Sequence, residues 1–293
     1  MKQSTMEALG AAGLDPAYVE QVVRTALAED LGGPDGVDVT SAATIPDEAT
    51  GTADVVARAD GVVAGLPVAA AVFELSGCEF DQAVADGTPV RRGDVLATVH
   101  GPTRGLLTAE RTALNLLSRM SGVATHTRRW VEALTGTGAT VLDTRKTTPG
   151  LRALEKYAVR AAGGDNKRMG LYDVAMIKDN HTLAAGSITA AYEAVRAAFP
   201  DVPVQVEVET VAEAVEAVDA GAEFLLCDNM PPAALREVVA AVRGRAELEA
   251  TGNLTLETVA EYAATGVDYL SVGGLTHSSP ILDIALDLQP RSE

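Results

Sequence analysis

Aromatic side chains are scarce, at 4% of 293 residues with a single Trp. Large rings therefore cannot dominate the core, which must be packed mainly from Ala, Val and Leu among the 47% apolar residues. That composition suits packed helices and parallel strands, and excludes a disordered or fibrous chain. Cysteine is nearly absent. Cys78 and Cys227 lack metal-ligand spacing and allow at most one bridge, which fits reduced thiols in a cytoplasmic protein. No apolar run reaches the roughly 18 residues of a membrane span. The opening MKQSTMEALGAAGLDP lacks a signal-peptide pattern, so no membrane partner is expected. Positive charge is also short, with 23 Lys and Arg against 41 Asp and Glu, a net of −18. This argues against non-specific binding to nucleic acid or anionic lipid.

The positive charge that is present is concentrated. Between Arg104 and Lys178 lie 13 of the 23 cations and six acids, so that segment is +7 and the remainder −25. A cationic island in an acidic chain predicts a cleft for a small anion. Within it, Arg145 and Lys146 stand side by side in Asp143-Thr-Arg-Lys-Thr-Thr-Pro149, directly after an apolar run. Adjacent cations repel, and on that stretch alone a solvated loop would suffice.

The organisation of the chain narrows the choice. Asp15-Pro16 predicts an N-cap and first helical residue, for a helix ending before Gly32-Gly33. From Gly51 to about Leu107, short β-rich runs (54–57, 61–64, 94–99) between Gly, Pro and Asp turns predict a small sheet. A long helical stretch follows from Thr108-Ala109-Glu110. Apolar runs suited to buried strands then recur at 140–142, 174–177, 204–208, 223–227, 248–251 and 269–272, most of them separated by helical segments. This alternation predicts a parallel sheet. Glu209-Thr-Val-Ala-Glu213 recurs as Glu257-Thr-Val-Ala-Glu261, each copy leading to a glycine (Gly221, Gly266), an acid and a strand. Repeated α-then-β units favour a barrel, with one or two strands still unseen against the usual eight.

Active sites of such barrels lie past the C-terminal strand ends. Those positions carry Arg145 and Lys146; Lys178-Asp179-Asn180-His181; Glu207 and Glu209; Asp228 and Asn229; Thr251-Gly252-Asn253; and Gly273-Gly274. Cations at two neighbouring ends, carboxylates at two more and glycine turns at the last two suit a polyanion whose phosphates are partly neutralised by a metal on Glu207 and Asp228. Taken singly, the glycines also suit plain turns, Glu207 a structural partner for a cation, and His181 a loop cap. No Ser-His-Asp order, zinc spacing, Walker loop or dinucleotide fingerprint is present.

Several segments resemble one family. TAERTALNLLSRMSGVAT, LDTRKTTPGLRALEKYAVRAAGG, MIKDNH, VEVET, CDN and VDYLSVGGLTHS, in this order between Leu14 and Leu288, are similar to quinolinate phosphoribosyltransferase. That decarboxylating enzyme makes nicotinate mononucleotide for NAD synthesis. The resemblance implies an α/β chain with an N-terminal α/β sandwich domain (1–112) and an incomplete TIM-like barrel of about seven parallel strands (113–274). A tail (275–293) would return to the first domain, where the alternation in Asp283–Leu288 would supply a strand. It implies quinolinate and phosphoribosyl diphosphate as substrates, Mg²⁺ as cofactor, and a homodimer or larger homo-oligomer with shared active sites.

By position, catalytic roles fall on Lys146, Lys178, Glu207 and Asp228, with Mg²⁺ on Glu207 and Asp228 directly or through water. Substrate contacts add Arg111 (reaching into the partner's site), Thr144, Arg145, Lys167, Arg168, and the loops Thr251-Gly252-Asn253 and Val272-Gly273-Gly274. The sequence departs from the family at Lys167-Arg168, where His-Arg is usual, and at Thr251 and Asn253, where Ser and Gly are common. Alternatives are a superfamily paralogue of the type linked to molybdenum transport, acting on another pyridine or anion, and a non-catalytic anion-binding barrel.

Overall fold

The computed structural model describes residues 1–242 and 244–290. The chain divides into two compact units. One comprises Met1–His126, Thr148–Gly163 and the tail from Ser278; the other comprises Thr127–Thr147 and Gly164–His277. The boundary expected at 112/113 falls inside the helix Thr103–Ala133, and the units part at His126 instead. A single amphipathic helix carries no composition break, so the sequence could not place that division. The last three residues of the expected tail lie outside the described residues.

In the first unit the helix Pro16–Leu31 begins as its sequence predicts. Asp15 accepts a hydrogen bond from the Ala17 amide at 2.9 Å, and Gly32 closes the helix in the left-handed region at φ +78. The helix Leu66–Leu75 buries seven of its ten residues, including Val68 through Phe73, and forms the unit's apolar centre. An antiparallel sheet runs in the order Ile284–Leu288, Thr50–Ala57, Val95–Pro102, Glu79–Gln82. The tail strand pairs with Thr50–Ala57 from Ala53 opposite Leu288 to Ala57 opposite Ile284.

The second unit holds a six-stranded parallel sheet in the order Thr140–Leu142, Tyr269–Ser271, Glu247–Thr251, Phe224–Asp228, Val204–Val208, Ala175–Ile177. All six anticipated strands are present, within two residues at each end. Among the described residues six strands pair in this sheet, in the incomplete barrel expected. The seventh position is a single parallel bridge between Leu142 and Asp165, and the barrel is open. Asp165 stands between Gly163-Gly164 and Asn166, a polar, glycine-rich setting that cannot sustain a ladder. The two repeat copies form the helices Val211–Asp219 and Val259–Ala263, and Gly221 and Gly266 follow them at φ +103 and +93. Only the first copy forms a capping box, through Thr210 and Glu213.

Register sorts the side chains of this sheet. Glu207, Leu226, Glu249, Tyr269 and Thr140 are successive partners across it, as are Asp228, Thr251, Ser271 and Leu142. Because strand side chains alternate with period two, these residues and Gln205 share one face. Val204, Val206, Val208, Leu225, Leu248, Ala250 and Leu270 occupy the other, and all are buried. One face is thus aliphatic, packed beneath helices, while the other carries the carboxylates.

Candidate active site

The site lies in the second unit, where the strands end. After Thr140–Leu142 the chain turns at Thr144, whose Oγ1 accepts from the Lys146 amide at 3.0 Å. Thr276 Oγ1 donates to the Lys146 carbonyl at 2.6 Å. These two bonds fix the backbone on both sides of Lys146 and leave its side chain exposed. That side chain lies across Gly273: a Cβ there would sit 3.0 Å from Lys146 Cδ and 3.7 Å from Thr144 Oγ1. Val272 donates to the Leu142 carbonyl at 3.0 Å, which ties the two loops at their base.

Asp143 is fully buried and organises the next cations. Its Oδ2 accepts from Asn166 Nδ2 at 2.6 Å and its Oδ1 from the Lys167 amide at 3.0 Å. Lys167 Nζ then reaches Glu249 Oε1 at 2.5 Å. Burial lowers the Lys167 ammonium pKa from its ordinary value, the Glu249 charge opposes that shift, and Lys178 and Arg168 add to it. Arg168 Nη1 donates to the Val174 carbonyl at 3.0 Å. Burial first, and then the nearby Arg145 charge, lower the Arg168 pKa. Arg145, Arg168, Lys167 and Lys178 therefore form a chain in which each cation feels the next, as suits an anion site.

The carboxylates are placed unevenly. Glu207 forms an ion pair with Lys178, so the structural role its position allowed is realised. Asp228 accepts from Asn229 Nδ2 at 3.0 Å. Asn229 and Asn253 both adopt left-handed backbone, at φ 52 and 51, and Asn253 Nδ2 donates to Asn229 Oδ1 at 3.3 Å. Gly252 between them is obligatory: its φ is +93, and a Cβ would fall 2.1 Å from Asn229 Oδ1. Thr251 Oγ1 donates to the Ser271 carbonyl at 3.4 Å. His181 is a cap, accepting from the Lys178 amide at 3.0 Å.

The second unit thus brings together Thr144, Arg145, Lys146, Lys167, Arg168, Lys178, Glu207, Asp228, Thr251, Gly252, Asn253, Val272, Gly273 and Gly274. Arg111 belongs to the first unit, exposed on the helix Thr103–Ala133.

Comparison with known proteins decides what this site belongs to. The description "Quinolinate phosphoribosyl transferase, C-terminal domain" matches residues 123–287, and the corresponding N-terminal domain matches 38–121. The chain belongs to the quinolinate phosphoribosyltransferase family. A Mycobacterium leprae protein named nicotinate-nucleotide pyrophosphorylase (carboxylating) is 49% identical over 91% of this chain and 95% of its own. A Bacillus subtilis protein with the same name, marked probable, is 45% identical over 82% and 84%. The crystal structure of NadC from Streptococcus pyogenes superposes with a TM-score of 0.90 at 38% identity, covering 94% of this chain and 98% of that one.

Three site residues of this family member escaped sequence reasoning: Asn166, Gln205 and Glu249. Gln205 and Glu249 lie inside strands, upstream of the C-terminal ends at which site residues were expected. The available signal was an acid and an amide within runs that a parallel sheet normally keeps apolar.

Proposed function

We propose that the chain transfers the phosphoribosyl group of phosphoribosyl diphosphate to quinolinate, with loss of CO₂, giving nicotinate mononucleotide and diphosphate. The observation that carries this reading is the chain of neighbouring cations Arg145, Arg168, Lys167 and Lys178, the last paired with Glu207, in a parallel-sheet unit of a member of this family.

The protein's part is positioning and electrostatics. Arg145, Lys167 and Arg168 hold the two quinolinate carboxylates, and Lys146 and Lys178 face the phosphates of the donor. The loops Thr251-Gly252-Asn253 and Val272-Gly273-Gly274 approach the 5′-phosphate with backbone amides. The ring nitrogen forms a bond to C1 of the ribose as the C1–O bond to diphosphate breaks, and the leaving electrons stay on diphosphate. The pyridinium so formed draws the electron pair of the C2–carboxylate bond into the ring. CO₂ departs and a proton from solvent takes its place.

Glu207 and Asp228 are the residues that would hold Mg²⁺, directly or through water. Among the described residues no three His, Cys, Asp or Glu side chains gather as a metal cage. A carboxylate pair nevertheless fits an ion that takes most of its oxygens from water and diphosphate. When bound, Mg²⁺ would supply charge neutralisation for the diphosphate.

The assembly we propose is a homodimer or larger homo-oligomer in which an exposed Arg111 completes a partner's site, working in the cytoplasm. The two free, buried thiols of Cys78 and Cys227 support a reducing compartment. No helix among the described residues is long and apolar enough to cross a membrane.

The deciding experiment is product analysis after incubation with phosphoribosyl diphosphate and either quinolinate or nicotinate. Nicotinate mononucleotide and CO₂ from quinolinate alone are expected. No product from quinolinate would overturn the assignment.

A further inference from the structure

Two Lys–Glu pairs share the inner face of the sheet, and they differ in kind. The Lys178–Glu207 pair is open, with 42% of the lysine side chain accessible. The Lys167–Glu249 pair is closed: the lysine side chain is 10% accessible and the glutamate not at all. Both oxygens of Glu249 have donors, Lys167 Nζ on Oε1 at 2.5 Å and Gln205 Nε2 on Oε2 at 2.7 Å. Gln205 is itself 1% exposed. A fully buried carboxylate with two fixed donors cannot serve as a ligand for a passing substrate or ion. It can set the state of the cation above it.

We propose that Glu249, held by Gln205, is a positioning residue that keeps the Lys167 ammonium in place as a standing cation for the quinolinate carboxylates, making the site selective for a dianionic over a monoanionic pyridine. This rests on the reaction proposed above.

The surroundings of Lys167 give the reason. Lys178 and Arg168 both disfavour another positive charge there. Asp143 accepts from the Lys167 backbone amide on one oxygen and from Asn166 on the other. Glu207 is committed to Lys178. The Cys227 thiol, pushed up to about 12 by burial and then by Glu249, stays neutral. Glu249 is the carboxylate that meets the lysine at its head and favours its charged form. With its carboxylate removed, the opposition Glu249 offers to burial, Lys178 and Arg168 is lost, and the ammonium releases its proton at lower pH.

The test is calorimetric binding of quinolinate and of nicotinate from about pH 6.5 up to the ordinary lysine range near pH 10. It compares wild type, Glu249→Gln, Lys167→Met and the double variant. For Glu249→Gln, the rise of the quinolinate Kd with pH should begin at least about one unit lower than in wild type. At pH values above both midpoints, a one-unit shift corresponds to roughly tenfold weaker binding. Lys167→Met should bind quinolinate weakly at all pH values, with a flat profile and a diminished preference over nicotinate. The double variant replaces the buried pair by neutral groups of similar size, which proteins tolerate well, and should behave as Lys167→Met does. A Glu249→Gln profile superposing on wild type, or a double variant with wild-type affinity, would overturn the proposal. Wild type that binds quinolinate without forming product sinks the reaction and leaves this inference standing; wild type that does not bind quinolinate sinks both.

Discussion

Lys146 lies against the Cα of Gly273 so closely that a methyl group there would meet its Cδ at 3.0 Å. Gly273 is not among the residues with positive φ, so alanine is acceptable to the backbone and the contact with Lys146 is the whole effect. Gly273→Ala should force Lys146 off its rotamer, at a cost of about 0.5–1.5 kcal/mol, or roughly 2- to 12-fold in kcat/KM. Lys146→Ala should cost about 2–5 kcal/mol of transition-state stabilisation. Thermal melting of both variants should match wild type, and steady-state kinetics should separate them. Near-normal turnover in Lys146→Ala would remove this lysine from the site.

Glu207→Ala and Asp228→Ala should both lower activity, with different responses to Mg²⁺. Asp228 is free of any lysine pair among the described contacts, and its loss should be partly rescued by raising Mg²⁺. Glu207 also neutralises Lys178, so its loss should be rescued less. Titrations of rate against Mg²⁺ distinguish the two, and activity fully retained in EDTA would exclude a metal role for either.

Mixing Arg111→Ala chains with Lys178→Ala chains, each inactive alone, should restore activity after subunit exchange. A hybrid dimer contains one site with both residues intact. Recovery approaching a quarter of wild type is the expected ceiling for random pairing, since about half of the dimers are hybrids with one good site each. No recovery despite demonstrated exchange would refute the shared site.

In the first unit, Glu155 is fully buried and takes four hydrogen bonds. Two come from Arg119 Nε and Nη2 at 3.0 and 2.8 Å, and two from Thr148 N and Oγ1 at 3.0 and 2.7 Å. Glu155→Ala leaves a mostly buried guanidinium without its carboxylate and should destabilise the fold by about 3–5 kcal/mol. Urea denaturation checks this. A loss below about 1 kcal/mol would show that the pair is dispensable.

How far the sequence could be read depended on how local each feature is. The six sheet strands were legible because their buried aliphatic face, with residues such as Val204, Val206, Val208, Leu225, Leu248 and Leu270, makes short apolar runs stand out. The strand at Asp165 was not, because one bridge leaves no pattern. The cationic loop residues could be placed at strand ends by counting. Lys167 could not, because its partner Glu249 lies 82 residues away and the pair exists only once the sheet has brought Gln205 and Glu249 to the same face. Likewise, Asn253 in place of the usual glycine reads as a defect in the phosphate loop. In the structure it adopts the left-handed backbone that glycine would supply and bonds to Asn229.

The pairing of Ile284–Leu288 with Thr50–Ala57 sets a schedule for biosynthesis. A ribosome releases Thr50–Ala57 more than two hundred residues before the partner strand exists, at about 5–20 residues per second. For that interval one hydrogen-bonding edge of the strand stays open beside apolar Val55 and Val56, the kind of edge that recruits foreign strands. The nascent chain therefore emerges with its first sheet unfinished. Stalled or C-terminally truncated products lacking residues 284–288 should collect in inclusion bodies or on chaperones, while the full-length chain escapes that fate by closing its own edge last.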